Sequence, residues 1–215
     1  MDAKDGTKGL VFGVGINDAN YVVKVMETIS RIGGKRKRKL IWECPFYRKW
    51  INMLERCYSI KLHGKHPSYR DCTVCEEWHL FSNFKAWMEK QNWKNKHLDK
   101  DLLFQGNKVY SPETCCFIFG KINLFMEECN ASRGDYPIGV CWRKDTKKFV
   151  ARCRNPFTNK IEYLGQFACP YEAHQVWLKR KLEHANQLVL LETDSRVINA
   201  ITDRYTNYSN YPREG

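Results

Sequence analysis

Two side chains in the stretch Leu98–Asn123, LDKDLLFQGNKVYSPETCCFIFGKIN, carry oxygen atoms suited to holding a divalent cation. Asp99 lies on a predicted short strand, and Asn123 lies on a predicted helix that follows a second strand. A strand–strand–helix arrangement would bring the carboxylate and the amide oxygen to one point, and such hard ligands suit Mg²⁺ or Mn²⁺. A metal held at this point would be able to polarise a phosphodiester for hydrolysis.

A hydrolytic site also needs a group that takes a proton from water, and the same strand offers one. His97 lies two positions before Asp99, so the alternation of side chains along a strand puts both on one face. An imidazole that titrates near neutral pH is a suitable general base. The alternative for this lone histidine is a surface or core role. Asp101 shares that face and is either a second carboxylate ligand or a polar partner of Lys100 or of the basic surface.

Two amphipathic helices are predicted before this segment. Pro45 suits the first turn of a helix, and apolar residues then recur at three- and four-residue spacing. The predicted buried face of the first helix consists of Phe46, Trp50, Met53, Leu54 and Cys57. That of the second, which starts after Cys75, consists of Trp78, Phe81, Phe84 and Met88. The following stretch is predicted as a strand over 97–103, a turn at 105–107, a strand near 115–118 and a helix over 120–128.

Three strands and a long helix are predicted after a turn-prone boundary at residues 133–135. The strands read IGVCWRK, KFVARCR and KIEYLGQF, and helices are predicted over 170–190 and 194–205. Alternation predicts that one sheet face covers the helix through Val140, Trp142, Ala151, Cys153 and Leu164. The opposite face then carries Cys141, Arg143, Arg152, Arg154 and Tyr163. Such an arginine-rich face is either a nucleic-acid reader or an ordinary solvated surface.

The chain is strongly basic, with 36 lysine and arginine residues against 24 acidic ones among 215, a formal net charge of +12. This surplus attracts polyanions, and a basic run after two glycines concentrates it. The run consists of Lys35, Arg36, Lys37, Arg38 and Lys39. It predicts a flexible cationic arm that contacts phosphates or a minor groove of double-stranded DNA, with a solvated linker as the alternative. A mean hydropathy of −0.60 and no apolar run of spanning length exclude a membrane-spanning helix.

Ten cysteines, together with an N-terminus that lacks the pattern of a secretory signal, favour a reducing compartment in which most thiols are buried. Cys72 and Cys75 have the C-x-x-C spacing of zinc ligands, and Cys115 and Cys116 would complete a four-thiolate site. Because adjacent residues on a strand point to opposite faces, zinc is the less favoured metal here.

The runs WINMLERCY, VCEEWHLFSNF, LDKDLL, GNKVYSPETC and KIN resemble the phage-borne HNH family of DNA endonucleases. The resemblance implies that Asp99 and Asn123 bind the metal, that Lys100 occupies the general-base position and that Thr114 occupies the position that orients the base. Lys100 and Thr114 depart from the histidine and asparagine of the family pattern. The implied function is a phage homing or nicking endonuclease acting in the host cytoplasm. The alternative is a DNA-binding protein or regulator on the same scaffold that has lost cleavage.

The runs YPIGVCWRKDTKKFVARCRN, KIEYLGQF and YEAHQVW resemble the DNA-binding domain of plant Apetala and ethylene-response factors, which is also appended to phage HNH nucleases. This resemblance implies that DNA is contacted by Arg143, Arg152, Arg154 and Tyr163. The sequence as a whole predicts an α+β protein, in which an N-terminal helical region and a ββα-metal motif precede a three-stranded antiparallel sheet packed on one helix. The predicted limits are 1–43 for the basic N-terminal segment, 44–131 for the HNH-like domain, 135–190 for the Apetala-like domain and 191–215 for the C-terminal helix and tail.

Overall fold

A computed structural model describes residues 9–32, 35–127 and 135–206. Within these ranges the chain is mixed α+β, as predicted, and includes a three-stranded antiparallel sheet. The strands are β1 Lys24–Ile32, β2 Lys35–Glu43, β3 Thr73–Val74, β4 His97–Asp99, β5 Val109–Tyr110, β6 Cys116–Ile118, β7 Val140–Arg143, β8 Lys148–Arg154 and β9 Ile161–Phe167. The helices are α1 Pro45–Tyr58, α2 Ile60–Lys65, α3 Phe81–Glu89, α4 Gly120–Met126, α5 Pro170–Val189 and α6 Ser195–Thr206, with 3-10 turns at Pro67–Tyr69 and Glu76–His79.

The chain forms two compact units that interleave along the sequence. The N-terminal unit contains the described residues up to Lys94 together with Phe104–Phe117. The C-terminal unit contains Asn95–Leu103 and the described residues from Ile118 onward. These units do not coincide with the domain limits predicted from the sequence, because β4 and α4 belong with the C-terminal sheet. Residues 133 and 134 of the predicted boundary and the tail at 207–215 lie outside the described residues.

The core of the N-terminal unit is built by α1 and α3, and their predicted apolar faces are buried except at Phe46. The second helix begins later than predicted, at Phe81, so the buried Trp78 lies in the preceding 3-10 turn rather than on α3. Trp50, Met53 and Leu54 have no exposed surface, and the Trp50 indole Nε1 donates a hydrogen bond to the Trp78 carbonyl at 2.7 Å. Gly15 explains the glycine-rich start of the chain, since a Cβ there would lie 2.5 Å from Leu54 Cδ1. Phe46 is only half-buried and packs edge-on against Trp93, with ring centroids 5.0 Å apart. Tyr47 is buried beside it on α1 instead.

β1 and β2 form a two-stranded antiparallel ribbon with irregularities of register at Val25/Met26 and Thr28/Ser30. The predicted flexible arm over residues 35–39 is therefore wrong, because the backbone of the basic run pairs with β1 along its length. We call the paired residues Lys24–Ile32 and Lys35–Glu43 the ribbon. Backbone hydrogen bonding continues at its base, where Cys44 N–H donates to the Val23 carbonyl at 2.8 Å.

The sheet of the C-terminal unit has the order β7-β8-β9, and α5 packs on one face while α6 packs on α5. Ala151, Cys153 and Trp177 are buried between sheet and helix. Trp142 differs from its predicted burial and is 40% exposed. It lies opposite Phe149 near the turn between β7 and β8, and its ring packs there at a centroid distance of 4.8 Å.

The strand predicted over 97–103 stops at Asp99. One carboxylate oxygen, Asp99 Oδ1, accepts hydrogen bonds from the backbone N–H groups of Asp101 at 3.1 Å and Leu102 at 2.7 Å. Such a side-chain turn competes with strand pairing and ends the strand. The predicted turn and helix follow, with Gly106 at φ +79 and α4 beginning at Gly120. Among the described residues, no helix combines the length and apolar character needed to cross a bilayer.

Candidate functional site

Asp99, the first predicted metal ligand, is partly buried at the end of β4. Burial raises the pKa of its carboxyl group, and the neighbouring Asp101 carboxylate acts in the same direction. Hydrogen bonds from the backbone of Leu102 and Asp101 and the charge of Lys100 oppose these effects without cancelling them. A carboxylate that is costly to ionise in this position would be stabilised in its charged form by a cation.

His97 packs near the start of α4, and Asn123 lies on the same face of that helix. The His97 imidazole lies over the start of the helix, with Nε2 3.5 Å from the position that a Cβ on Gly120 would occupy. Asn123 follows Gly120 by three residues, which places it on the same face one turn later, and its side chain is exposed. His97 shares its strand face with Asp99 by alternation. β4 and α4 thus carry the imidazole, the carboxylate and the amide within one compact unit.

Lys100 and Thr114 are each engaged in local structure. The Lys100 ammonium is nearly buried and donates to Asp101 Oδ2 at 3.1 Å, which supports the predicted pairing role of Asp101. The Thr114 hydroxyl donates to the Val109 carbonyl at 2.7 Å and accepts from the Ser111 backbone N–H at 3.2 Å. Thr114 therefore closes a turn in the N-terminal unit, whereas Lys100 belongs to the C-terminal unit.

The donor set can be tested against a hard divalent ion. Among the described residues, no three His, Cys, Asp or Glu side chains come together as a metal-binding group. Mg²⁺ commonly uses one or two protein carboxylates and completes its shell with water and substrate phosphate oxygens. Asp99 with the amide of Asn123 fits that sparse requirement. The structure does not support a four-thiolate zinc site, because the described residues Cys72, Cys75, Cys115 and Cys116 do not come together as a metal-binding group.

Two buried lysines hold β4 and α4 to the C-terminal unit. Lys96, immediately before β4, pairs with Glu192 at 2.5 Å, and the two side chains are 2% and 0% exposed. Lys181 on α5 donates to the Phe125 carbonyl at 2.7 Å, at the end of α4, and its ammonium lies 3.7 Å from the centroid of the Phe125 ring. These contacts fix the elements that carry His97, Asp99 and Asn123 against the helix that supports the sheet.

The outer face of the three-stranded sheet is exposed and basic. All five residues predicted to face outward are exposed in the structure: Cys141, Arg143, Arg152, Arg154 and Tyr163. Two of the arginines are held by neighbours, since Arg143 Nε donates to Asp145 Oδ1 at 2.8 Å and Arg154 Nη1 donates to Asn159 Oδ1 at 2.8 Å. Such local bonds limit the rotamers of the guanidinium groups while leaving other N–H groups available to a ligand.

A polar network behind the sheet stiffens it. Glu162 on β9 accepts hydrogen bonds from Arg180 Nε at 2.7 Å and from Asn155 at 2.8 Å, and it lies 3.1 Å from His184 Nε2. The Arg180 bonds are the main cause that lowers the pKa of Glu162 to about 2. This network ties β9 to α5, so the exposed arginine face rests on a fixed support.

The basic run of the ribbon presents exposed side chains at Lys37, Arg38 and Lys39. The side chains of Lys35 and Arg36 lie outside the described part of the chain. Sequence reasoning missed the ribbon, although two glycines between a strand-like run, KVMETISRI, and the basic run are typical of a hairpin. It also missed Lys96, Glu192 and Lys181, for which no periodic pattern exists.

Cysteines occupy the interior as predicted: six of the nine described ones are buried. Burial raises the pKa of the Cys153 thiol to about 11 and that of Cys75 to a lesser extent, so neither is activated as a thiolate.

Comparison of the chain with protein-family models, curated proteins and solved structures finds no match.

Proposed function

We propose that the protein binds double-stranded DNA through the outer face of the β7-β8-β9 sheet and cleaves a phosphodiester bond at the Asp99 site with the aid of Mg²⁺ or Mn²⁺. The observation that carries the proposal is that His97, Asp99 and Asn123 belong to the same compact unit as the exposed arginines. A cleavage site on the same body as a DNA-binding face can hold the scissile phosphate in a constant position.

The proposed chemistry assigns one task to each side chain. Asp99 and Asn123 hold the divalent cation, which when bound supplies Lewis-acid stabilisation of charge on the phosphate. His97 accepts a proton from the attacking water at an imidazole nitrogen, because the Lys100 ammonium is engaged with Asp101. Water forms the new P–O bond as the bond to the 3′ oxygen breaks, and the departing 3′ oxygen takes up a proton from solvent.

Plasmid nicking tests the cleavage step. We expect supercoiled DNA incubated with the protein and Mg²⁺ or Mn²⁺ to become open circular, and chelation of the metal to stop the reaction. Asp99→Ala and Asn123→Ala should abolish nicking, whereas Asp135→Ala, which removes an exposed carboxylate elsewhere in the same unit, should leave it unchanged. Equal nicking by the Asp99 and Asp135 variants would contradict the proposed site.

His97→Gln tests whether His97 rather than Lys100 is the general base. Loss of a positioned base lowers rate by typically about 10²–10⁴-fold, with little effect on binding. Lys100→Gln is the matched substitution at the neighbouring position, and we expect it to reduce stability more than the rate measured on folded protein. The reverse pattern, in which Lys100→Gln removes nicking and His97→Gln does not, would reassign the base.

A second candidate function is DNA binding without cleavage, and a specific observation favours it. Lys100 and Thr114, which stand where the resembled family has its base and orienting residue, are used in local packing and turn formation. A scaffold that had lost cleavage would use these positions in this way. Tight binding of duplex DNA with no metal-dependent nicking by the wild type would establish this candidate over the first.

Binding itself is tested on the sheet. Arg152→Ala and Arg154→Ala should each weaken binding by roughly 1–3 kcal/mol if the guanidinium groups read base edges, and should change sequence preference as well. Lys179→Ala removes an exposed charge from α5, on the covered side of the sheet, and serves as the control. If all three variants bind equally, the sheet face is a solvated surface rather than a reader.

A further inference from the structure

The side chains of the ribbon formed by β1 and β2 are exposed without interruption over residues 24–29 and 37–42, so neither face of this part of the ribbon is covered by the described chain. Apolar side chains form part of this exposed surface, among them Val25 and Met26, which flank an irregularity of the register. Each is paired across the ribbon with another large apolar residue, Trp42 opposite Val25 and Leu40 opposite Met26. All four are between 37% and 46% exposed. A flat partner would cover only one of these faces, whereas a groove with two walls would cover both.

The charge of the ribbon identifies a polyanion as the partner. Its two strands carry seven basic residues and two acidic ones. One of the acidic residues, Glu43, is turned to the base of the ribbon, where it accepts a hydrogen bond from Arg48 Nε at 2.7 Å and pairs with Lys24 at 3.3 Å. The other, Glu27, lies opposite Lys39. Two such ribbons would repel each other, which excludes a second copy of the chain as the occupant.

The dimensions of the ribbon indicate which nucleic-acid groove can accept it. Two strands of nine residues extend about 30 Å, with about 4.8 Å between the strands. The major groove of B-form DNA is about 12 Å wide and accepts a two-stranded ribbon, whereas the minor groove is about 6 Å wide and the major groove of A-form RNA is too narrow. Exposed apolar side chains suit the methyl groups of thymine on the groove floor, and the basic side chains suit the phosphates at its edges.

The base of the ribbon is fixed rather than hinged. Besides the backbone bond between Cys44 and Val23, Glu43 joins the end of β2 to Arg48 on α1. Burial of Glu43 would raise its pKa, but the hydrogen bonds from Arg48 and Lys24 outweigh that effect and lower the pKa. The ribbon is thus held to the helical core of the N-terminal unit as a projecting element.

We infer that the ribbon inserts into the major groove of double-stranded DNA and forms a second DNA-reading element, separate from the β7-β8-β9 sheet. This inference deepens the proposed function and rests on it for the identity of the ligand. It also changes the predicted role of the basic run, from an arm that follows phosphates or a minor groove to a ribbon that reads the opposite groove.

The test uses the full chain and 30-base-pair duplexes, with dissociation constants measured by fluorescence anisotropy over a range of salt. One duplex is plain and the other carries glucosylated 5-hydroxymethylcytosine, which blocks the major groove and leaves the phosphates unchanged. The ribbon variant is Lys37→Gln, Arg38→Gln and Lys39→Gln. Its matched control is Lys61→Gln, Lys65→Gln and Lys90→Gln, which removes three exposed charges elsewhere in the same unit. The sheet variant is Arg143→Gln, Arg152→Gln and Arg154→Gln.

We expect the ribbon variant to bind the plain duplex at least about tenfold more weakly than the control variant, with a salt slope reduced by roughly 0.9 for each lost phosphate contact. The sheet variant should still bind the plain duplex through the ribbon. It should not bind the groove-blocked duplex, because the ribbon cannot enter the blocked groove. Met26→Ser with Leu40→Ser, which leaves the charge unchanged, should weaken binding without altering the salt slope. Far-UV circular dichroism and thermal melting verify that every variant is folded.

Each failure has a separate meaning. If the ribbon variant binds like its control while the sheet variant does not bind, the ribbon inference is overturned and the proposed function stands. If the residual binding of the sheet variant is equal on plain and groove-blocked DNA, the ribbon contacts phosphates only and insertion is overturned. If ribbon and sheet variants both bind like the wild type, the proposed function itself fails.

Discussion

Asp99 combines a structural and a proposed functional demand at one residue. Its Oδ1 atom ends β4 by accepting two backbone N–H groups, while burial raises the pKa of its carboxyl group. Because the folded-state pKa lies above the unfolded value, Asp99 lowers stability progressively as the pH rises above the unfolded pKa, and the full loss is reached above the folded-state pKa. A residue that is unfavourable for folding at neutral pH is typical of a functional site.

Asp99→Asn tests this conflict. The asparagine keeps an oxygen that accepts the same backbone N–H groups and removes the charge, so we expect the melting temperature at pH 7 to be equal or higher. Metal-dependent nicking should be lost. Thermal melting and plasmid nicking on the same preparation measure both effects, and a clear drop in melting temperature at pH 7 would show that ionised Asp99 supports the fold instead.

Glu162 shows the opposite relation between charge and stability. Its pKa is lowered to about 2, chiefly by the hydrogen bonds from Arg180. The network therefore contributes fully above the unfolded pKa near 4.5 and is lost as the pH falls towards 2.

Glu162→Gln should reduce the free energy of unfolding at pH 7 by about 1 kcal/mol, after allowance for solvent screening at a partly exposed site, and the difference should vanish near pH 2. Urea unfolding at several pH values measures it. Glu183→Gln, which breaks a more exposed pair with the same Arg180, is the control and should have little effect at any pH. A difference that grows towards low pH would contradict the assigned direction.

At the scale of single elements, the beginning of β7 depends on a close approach between backbone and ring. Gly139 has φ +82, and a Cβ there would overlap the Trp177 ring of α5. Gly106 has a similar φ of +79 but open space around it. The two glycines therefore separate backbone strain from steric overlap.

Gly139→Ala should destabilise the C-terminal unit by more than the roughly 1 kcal/mol expected for Gly106→Ala, which meets backbone strain alone. Chemical denaturation of the two variants measures the comparison. Equal effects would mean that Trp177 moves aside without cost and that the sheet is less firmly seated on α5 than its packing indicates.

The elements of the ββα segment also depend on distant parts of the chain. Lys96 forms a buried ion pair with Glu192. At the end of α4, Phe125 accepts a hydrogen bond from Lys181 through its carbonyl, and its ring lies 5.2 Å from that of Tyr205. All of these partners lie beyond the predicted HNH-like domain of residues 44–131.

A fragment spanning residues 44–131 should therefore fail to unfold cooperatively, because Lys96 and the apolar face of α4 would lose their partners. Within the full chain, Lys96→Met alone should cost about 3–5 kcal/mol by stranding the buried Glu192 carboxylate, and Lys96→Met with Glu192→Leu should recover much of that loss. Urea unfolding measures both. A fragment that melts cooperatively would support the predicted domain limits.

At the scale of the whole molecule, each compact unit carries its own basic element, the ribbon in one and the sheet in the other. If both elements bind DNA as proposed, they reinforce each other, since binding of the first raises the effective concentration of the second. We expect binding to fall steeply with salt, with a log-log slope on the order of −5 for about six neutralised phosphates. Anisotropy titrations measure the slope, and a flat dependence would remove the electrostatic basis of the proposal.

The sequence by itself determined the local elements. Helical spacing predicted the buried faces of α1 and α3, and strand alternation predicted the exposed set from Cys141 to Tyr163, because burial repeats with the period of each element. The tertiary structure alone decided that the basic run pairs as a ribbon, that β4 ends at Asp99, and that β4 and α4 join the C-terminal unit. Those outcomes depend on strand pairing, on side-chain turns and on single buried contacts such as Lys96 with Glu192. Contacts between residues 96 positions apart leave no periodic trace in the chain.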